Sequence, residues 1–133
     1  PEQMDKKQLD IALEEFFHEV QVNSGIDIQF RKNEPTFTLT SEAELSIFRG
    51  VQEAITNAMR HGQATRITVL LMYNPSQLVV TIKDNGTGAV DLAPKGGLKS
   101  LQERLRAEGG SVTLEASNPG VTVQMILPNT EKQ

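Results

Sequence analysis

The sequence predicts an α+β fold, a two-layer sandwich in which one mixed, mostly antiparallel sheet carries about three helices on one face. Amphipathic segments, with apolar residues at intervals of three and four, predict helices. Short β-branched and apolar runs predict strands, and two pairs of them flank the turns Asn74-Pro75-Ser76 and Asn118-Pro119-Gly120, as in hairpins. The 133 residues are enough for one domain, residues 1–133, with a core of its own.

The N-terminal part of the chain predicts one helix and two strands. The apolar spacing predicts a helix from Asp10 to Val22, which Asn23-Ser24-Gly25 ends. Alternation predicts a strand from Ile26 to Phe30, and Phe37 to Thr40 predicts a second, weaker strand. Ser41 and Glu44 have the spacing of a capping box, which predicts the start of a second helix.

The second helix is predicted to end at His61, because Gly62 follows it. Glycines concentrate between Asp84 and Gly97, where little periodicity remains, so this stretch is predicted to be a loop. The other predicted elements are a hairpin of Arg66 to Tyr73 with Gln77 to Lys83, a helix from Leu98 to Ala107, and a hairpin of Ser111 to Ala116 with Val121 to Leu127.

Composition excludes several functional classes. Thirteen Lys and Arg against seventeen Asp and Glu give a net charge of −4, so nucleic acid and anionic membranes are poor candidate partners. The absence of Cys excludes disulfides, thiolate zinc sites and a Cys nucleophile. No run approaches about 18 apolar residues and no signal peptide opens the chain, so we expect a soluble chain without membrane contact. Because the chain begins at Pro1, we expect it to come from a longer protein.

The second predicted helix has an unusual polar face. Its core-facing arc is formed by Phe48, Val51, Ile55, Ala58 and Met59. The opposite arc carries Glu53, Asn57, Arg60 and His61. An ordinary solvated face would explain this pattern, but Asn is an indifferent helix former, so Asn57 in a helix interior favours a functional role.

Two glycine-containing segments point to the same chemistry. Asp84-Asn85-Gly86-Thr87-Gly88 follows a predicted strand and places a carboxylate where the backbone can approach a ligand, although the sequence also fits an ordinary turn. Lys95-Gly96-Gly97-Leu98-Lys99-Ser100 opens a helix and predicts an anion site, with a plain glycine loop as the alternative. Neither segment is a dinucleotide fingerprint or a P-loop. Together with the polar helix face, they predict a nucleotide pocket.

Three motifs resemble the boxes of the GHKL ATPase superfamily, in order and at fitting intervals. EAITNAMRHG at Glu53 to Gly62 resembles the N box, DNGTG at Asp84 to Gly88 the G1 box, and KGGLKSLQERL at Lys95 to Leu105 the G2 box. Gln52-Glu53 and Glu103-Arg104-Leu105 are typical of sensor histidine kinases that pair with helix-turn-helix response regulators. The resemblance covers about residues 9–128 and implies a Bergerat-type fold that binds ATP with Mg²⁺.

The resemblance also implies a role for each matching residue. Asn57 corresponds to the Mg²⁺ ligand, and Glu53 to the acid that orients or polarises the attacking group or a metal-bound water. Asp84 corresponds to the acceptor for the adenine amine, which would reject guanine. The other implied nucleotide contacts are Arg60, His61, Gly86, Gly88, Lys95, Gly96, Gly97, Leu98 and Thr122.

Residues 87–97 correspond to a short ATP lid that leaves the γ-phosphate open to a partner. The chain departs from the G2 pattern at Lys95, where the family has glycine, and at Ser100. If position 95 requires a positive φ, Lys95 is strained; alternatively, its ammonium contributes charge to the phosphate site.

We expect the chain to bind ATP and to phosphorylate a histidine on a separate dimerisation domain of the same kinase. His18 precedes Glu19, as in a phosphoacceptor site, but its neighbours Phe16 and Phe17 are core-like. A cytoplasmic location, a monomeric state and indirect action on a response regulator are also expected. An anti-sigma-factor-type serine kinase, and a nucleotide-binding module without catalysis, are the alternatives.

Overall fold

The computed structural model describes residues 8–131 and contains three helices and five strands within that range. The helices are α1 Leu9–Ser24, α2 Ser41–Arg60 and α3 Gly96–Ala107. The strands are β1 Asp27–Lys32, β2 Arg66–Asn74, β3 Gln77–Asp84, β4 Ser111–Ala116 and β5 Val121–Pro128. The predicted helices and all predicted strands except one are confirmed.

One five-stranded sheet organises the fold, with the strand order β1-β2-β3-β5-β4. Strand β1 pairs parallel to β2, and the other three pairs are antiparallel. The alternation of strand side chains buries one face of the sheet under the helices, with Val69, Val80 and Met125 fully covered. The predicted two-layer sandwich with a mixed, mostly antiparallel sheet is therefore confirmed.

Helix α2 presents the predicted arc to this core. Val51, Ile55 and Ala58 are buried, and Phe48 and Met59 are half-buried against them. The C-terminal half of α2 thus stands over the sheet with its opposite face directed away from the core, and this arrangement positions the site described below.

The strand predicted from Phe37 to Thr40 is wrong. The side chain of Asn33 accepts from the backbone N–H of Tyr73 at 2.7 Å and donates to the carbonyl of Tyr73 at 2.8 Å. It thereby uses the two groups that a further residue of β1 would have paired, and the ladder ends. Phe37 instead packs edge-on against the Tyr73 ring, with the ring centroids 5.3 Å apart.

The start of α2 is as predicted, but its cap is not the predicted capping box. The N-cap is Thr40, whose hydroxyl accepts from the backbone N–H of Ala43 at 3.1 Å. The Glu44 carboxylate accepts from the backbone N–H of Leu9 and so ties α1 to α2.

Within residues 8–131, no helix combines the length and the apolar character that crossing a bilayer requires.

Candidate functional site

A cavity of about 520 Å³ lies between the C-terminal half of α2, the start of α3 and the segment that joins β3 to α3. Its apolar wall is formed by side chains of the last two strands, Leu114, Val121 and Val123. The sequence-predicted residues that line it are Glu53, Asn57, His61, Asp84, Gly88, Lys95, Gly96 and Leu98. Residues from three separate motifs, distant in sequence, therefore meet in one concave site.

Asp84, at the end of β3, is the one buried charged side chain within residues 8–131, with 8% of its surface exposed. Its Oδ1 accepts from the backbone N–H of Gly86 at 2.8 Å and of Val121 at 3.3 Å. Its Oδ2 accepts no hydrogen bond within the described chain, and no buried polar side-chain atom there lacks a partner. Oδ2 is therefore accessible, and Asp84 presents a fixed, unused acceptor to the cavity.

The turn after Asp84 is packed against the end of α2. The backbone N–H of Thr87 donates to the carbonyl of Gly62 at 2.7 Å. A Cβ at position 86 would lie 2.3 Å from the same carbonyl oxygen, so only glycine fits there. Gly86 itself does not line the cavity, whereas Gly88, with a φ of 87°, does. Gly86 thus shapes the wall through packing.

Asn85 fixes the same turn, and sequence analysis assigned it no role. Its Oδ1 accepts from the backbone N–H groups of Thr65 and Arg66, each at 2.9 Å, and its Nδ2 donates to Thr65 Oγ1 at 2.9 Å. An Asn in a turn is a known sequence signal for side-chain to backbone bonds. The partners lie about twenty positions away, and only the fold reveals them.

The polar face of α2 enters the cavity along one line of the helix. Glu53, Asn57 and His61 are four residues apart, so successive turns place them one above the other. None of these three side chains has a hydrogen bond or ion pair within residues 8–131. Arg60 is exposed and does not line the cavity. In the described part of the chain, no group of three His, Cys, Asp or Glu could hold a metal ion.

At the start of α3, Lys95 does not have the positive φ that would strain its backbone. Lys95 is the N-cap with an extended backbone, φ −134°, and the positive φ of 54° falls on Gly96. The condition for strain at Lys95, a positive φ at that position, is therefore not met. Gly97 lies under Glu53, where a Cβ would be 3.3 Å from Glu53 Oε1, and Leu98 is buried.

Lys95 has a charged partner in the segment before α3. Its Nζ lies 2.8 Å from Oδ2 of Asp91, and both residues line the cavity. The hydrogen bond from Lys95, together with one from the Ala93 N–H, holds the pKa of Asp91 below its ordinary value. No sequence signal marked Asp91.

Thr122 lies away from the cavity. Its neighbours Val121 and Val123 line it, and strand alternation places the Thr122 side chain on the other face of the sheet. There its hydroxyl shares a hydrogen bond with Ser117.

Comparison with known proteins gives one consistent result. The family described as histidine kinase-, DNA gyrase B- and HSP90-like ATPase matches residues 42–131. The oxygen sensor histidine kinase NreB of Staphylococcus carnosus is 29% identical over 98% of this chain and 39% of its own length. The sensor histidine kinase YxjM of Bacillus subtilis is 32% identical over 88% of this chain and 29% of its own.

Solved structures have the same fold. The catalytic domain of the histidine kinase ThkA, in a nucleotide-free form, aligns with a TM-score of 0.70 and 17% identity over 94% of each chain. ThkA in complex with the response regulator TrrA aligns with a TM-score of 0.69 and 18% identity, over 92% of this chain and 40% of that one.

Proposed function

Because the chain belongs to the family of histidine kinase-, DNA gyrase B- and HSP90-like ATPases, we propose that it is the ATP-binding catalytic domain of a sensor histidine kinase. It spans 39% and 29% of the two sensor kinases that it resembles. The proposed function is to bind Mg-ATP and to supply the γ-phosphoryl group to a histidine on a separate dimerisation domain. The observation that carries this proposal is the unused Oδ2 of Asp84 at the cavity.

Adenine recognition rests on Asp84. An exocyclic amine is a donor and matches Oδ2, whereas guanine would bring a carbonyl oxygen against a carboxylate. Because Oδ1 is held by two backbone N–H groups, the carboxylate cannot turn away to accommodate the wrong base. The apolar side chains of Leu114, Val121 and Val123 provide a wall for the purine rings.

The phosphates and the cation fit the other end of the cavity. We propose that the Asn57 amide oxygen would supply one ligand to Mg²⁺, an ion that prefers oxygen donors. A cation held by Asn57 would supply charge neutralisation for the phosphates. Gly96 and Gly97 present N-terminal N–H groups of α3, whereas the N–H of Leu98 already donates to the carbonyl of Lys95 at 3.1 Å. Lys95 adds positive charge.

Catalysis in this class of reaction consists mainly of positioning and charge stabilisation. Glu53 lies beside the start of α3, where it can orient an incoming imidazole or a metal-bound water. His61 is assigned to the nucleotide and Arg60 to the outer phosphate edge. Residues 87–97 form the short lid, which leaves the terminal phosphate open to a partner.

The phosphoacceptor is proposed to lie on another domain. His18 is exposed on α1 and is not part of the cavity, and His61 is one of its lining residues. The dimerisation domain of the same kinase is then the direct partner, and a response regulator, as in the ThkA complex, the indirect one. We further propose a cytoplasmic, monomeric catalytic domain, residues 1–133, and, from Gln52-Glu53 and Glu103-Arg104-Leu105, a regulator of the helix-turn-helix type.

A nucleotide titration tests the proposal. Wild type should bind ATP in the presence of Mg²⁺ and should prefer it to GTP. Asp84→Asn keeps an oxygen for Gly86 and Val121 but replaces the free acceptor by a donor, so ATP affinity should fall about 5- to 150-fold. Glu115→Gln, at an exposed position on strand β4, makes the same change of charge away from the cavity and should bind as wild type does. Equal ATP affinity in Asp84→Asn and wild type would contradict the assignment.

A further inference from the structure

Lys95 and Asp91 of the lid form an ion pair. The cation at the phosphate end of the cavity therefore already has a partner. Lys95 Nζ and Asp91 Oδ2 are 2.8 Å apart, and their side chains are 69% and 54% exposed. Within residues 8–131, Lys95 is the one Lys or Arg that lines the cavity. The positive charge closest to the N-terminus of α3 is therefore already paired with a carboxylate.

Asp91 is held in place for this contact. Its Oδ1 accepts from the backbone N–H of Ala93 at 2.9 Å, which fixes the carboxylate in the turn before α3. Asp91 is thus a backbone-anchored anion, whereas Lys95 has a long side chain with several rotatable bonds. A change of partner requires only that the lysine side chain moves.

The energetic cost of this exchange is small. Ion pairs between exposed side chains stabilise a fold only slightly, because water screens them. A phosphate group carries more negative charge than a carboxylate and offers more acceptor oxygens, so it competes effectively for an ammonium. A nucleoside without phosphate has no group to offer Lys95 and leaves the pair with Asp91 intact.

We propose that Asp91 is an internal competitor for the Lys95 ammonium, which weakens the binding of nucleotide phosphates and leaves nucleoside binding unchanged. The proposal rests on the proposed function of the cavity. Asp91 acts through Lys95 and is a positioning residue. Asp91 therefore determines how much of the affinity for a nucleotide comes from its phosphate chain. It thereby also affects how readily the product ADP dissociates.

A double-mutant cycle tests this competition. The variants are Asp91→Asn, Lys95→Gln and both together, titrated with ATP, ADP and adenosine at fixed Mg²⁺ and ionic strength. Asp91→Asn should bind ATP and ADP about 1.5- to 5-fold more tightly, with the affinity for adenosine unchanged. In the Lys95→Gln background, Asp91→Asn should have no effect. Glu115→Gln is the matched control for the change in net charge.

Any other result contradicts the proposal that Asp91 competes with nucleotide phosphates for Lys95. Tighter ATP binding that persists in the Lys95→Gln background means that Asp91 acts as a simple repulsive charge. Weaker ATP binding by Asp91→Asn means that the pair organises the lid for the nucleotide. An equal increase in the affinity for adenosine means that Asp91→Asn acts where the base binds and not at the phosphates. If wild type binds no ATP at all, the proposed function itself fails, which is a different outcome from these three.

Discussion

Gly120 leaves no space for a side chain beside Asp84. A Cβ at position 120 would lie 1.9 Å from the carbonyl oxygen of Asp84 and 2.6 Å from its Oδ1, and Gly120 also has a φ of 89°. The next residue, Val121, donates its backbone N–H to the same Oδ1. The turn between β4 and β5 therefore holds the carboxylate that faces the cavity, although it belongs to none of the three motifs.

Replacing Gly120 by alanine should damage both the fold and the site. The positive φ and the overlap with Asp84 each cost about 1–3 kcal/mol, so the free energy of unfolding should fall by about 2–6 kcal/mol. Urea denaturation measures this loss. Gly25→Ala is the matched control, because Gly25 has a φ of 76° but nothing within 4 Å of a Cβ, and it should lose only the strain of the backbone. Equal losses in the two variants would mean that the contact with Asp84 is unimportant.

Asn85 should contribute to stability without contacting a ligand. Asn85→Ala removes the three side-chain hydrogen bonds to Thr65 and Arg66, and each such bond is worth about 0.5–1.5 kcal/mol. Because these bonds are exposed and two of them share Asn85 Oδ1, the loss should be below their sum. We expect a fall of about 1–3 kcal/mol in the free energy of unfolding, measured by urea titration. Asn23→Ala, at an exposed position near the end of α1, should change stability by less than about 0.5 kcal/mol. A neutral Asn85→Ala would show that the turn is held by other contacts.

Local patterns predicted most of the fold because their physical causes are local. The core arc of α2 follows from the helical period, and Val51, Ile55 and Ala58 are buried as predicted. The strand predicted at Phe37 to Thr40 is wrong. Phe37 instead packs against the Tyr73 ring, a contact between distant residues that local alternation does not reveal.

The site was predictable to the extent that its motifs are contiguous. Glu53 and Asn57 could be placed on one helix face from their spacing. The partner of Lys95 could not be predicted, because Asp91 belongs to no motif and the loop has no periodicity. The sequence also did not predict that the positive φ at the start of α3 falls on Gly96 rather than on Lys95.

Tyr73, the single tyrosine of the chain, should ionise late. Burial, followed by the negative charges of Glu44 and Asp10, raises its pKa from 10.0 to about 12. Because the neutral phenol is favoured in the folded state, its contribution to stability is fully present below pH 10 and is lost as the pH rises to about 12. Phenolate absorbance should therefore appear near pH 10 in urea but later in the native protein. In Tyr73→Phe, the decline in stability across this window should be smaller. A native midpoint near 10 would contradict the burial of the phenol.

Asn57 should make ATP binding depend on Mg²⁺. In wild type, chelation of the metal should weaken ATP binding and leave adenosine binding unchanged, because a cation held by Asn57 would act on phosphate groups, which adenosine lacks. Asn57→Ala removes the proposed amide ligand, so its ATP affinity should be low and should respond little to EDTA. Gln52→Ala is the matched control, since Gln52 is an amide on the same helix that does not line the cavity, and it should retain the full dependence on Mg²⁺. A large effect of EDTA on Asn57→Ala would mean that the cation is held by other groups, with Glu53 the next side chain along the same face of α2.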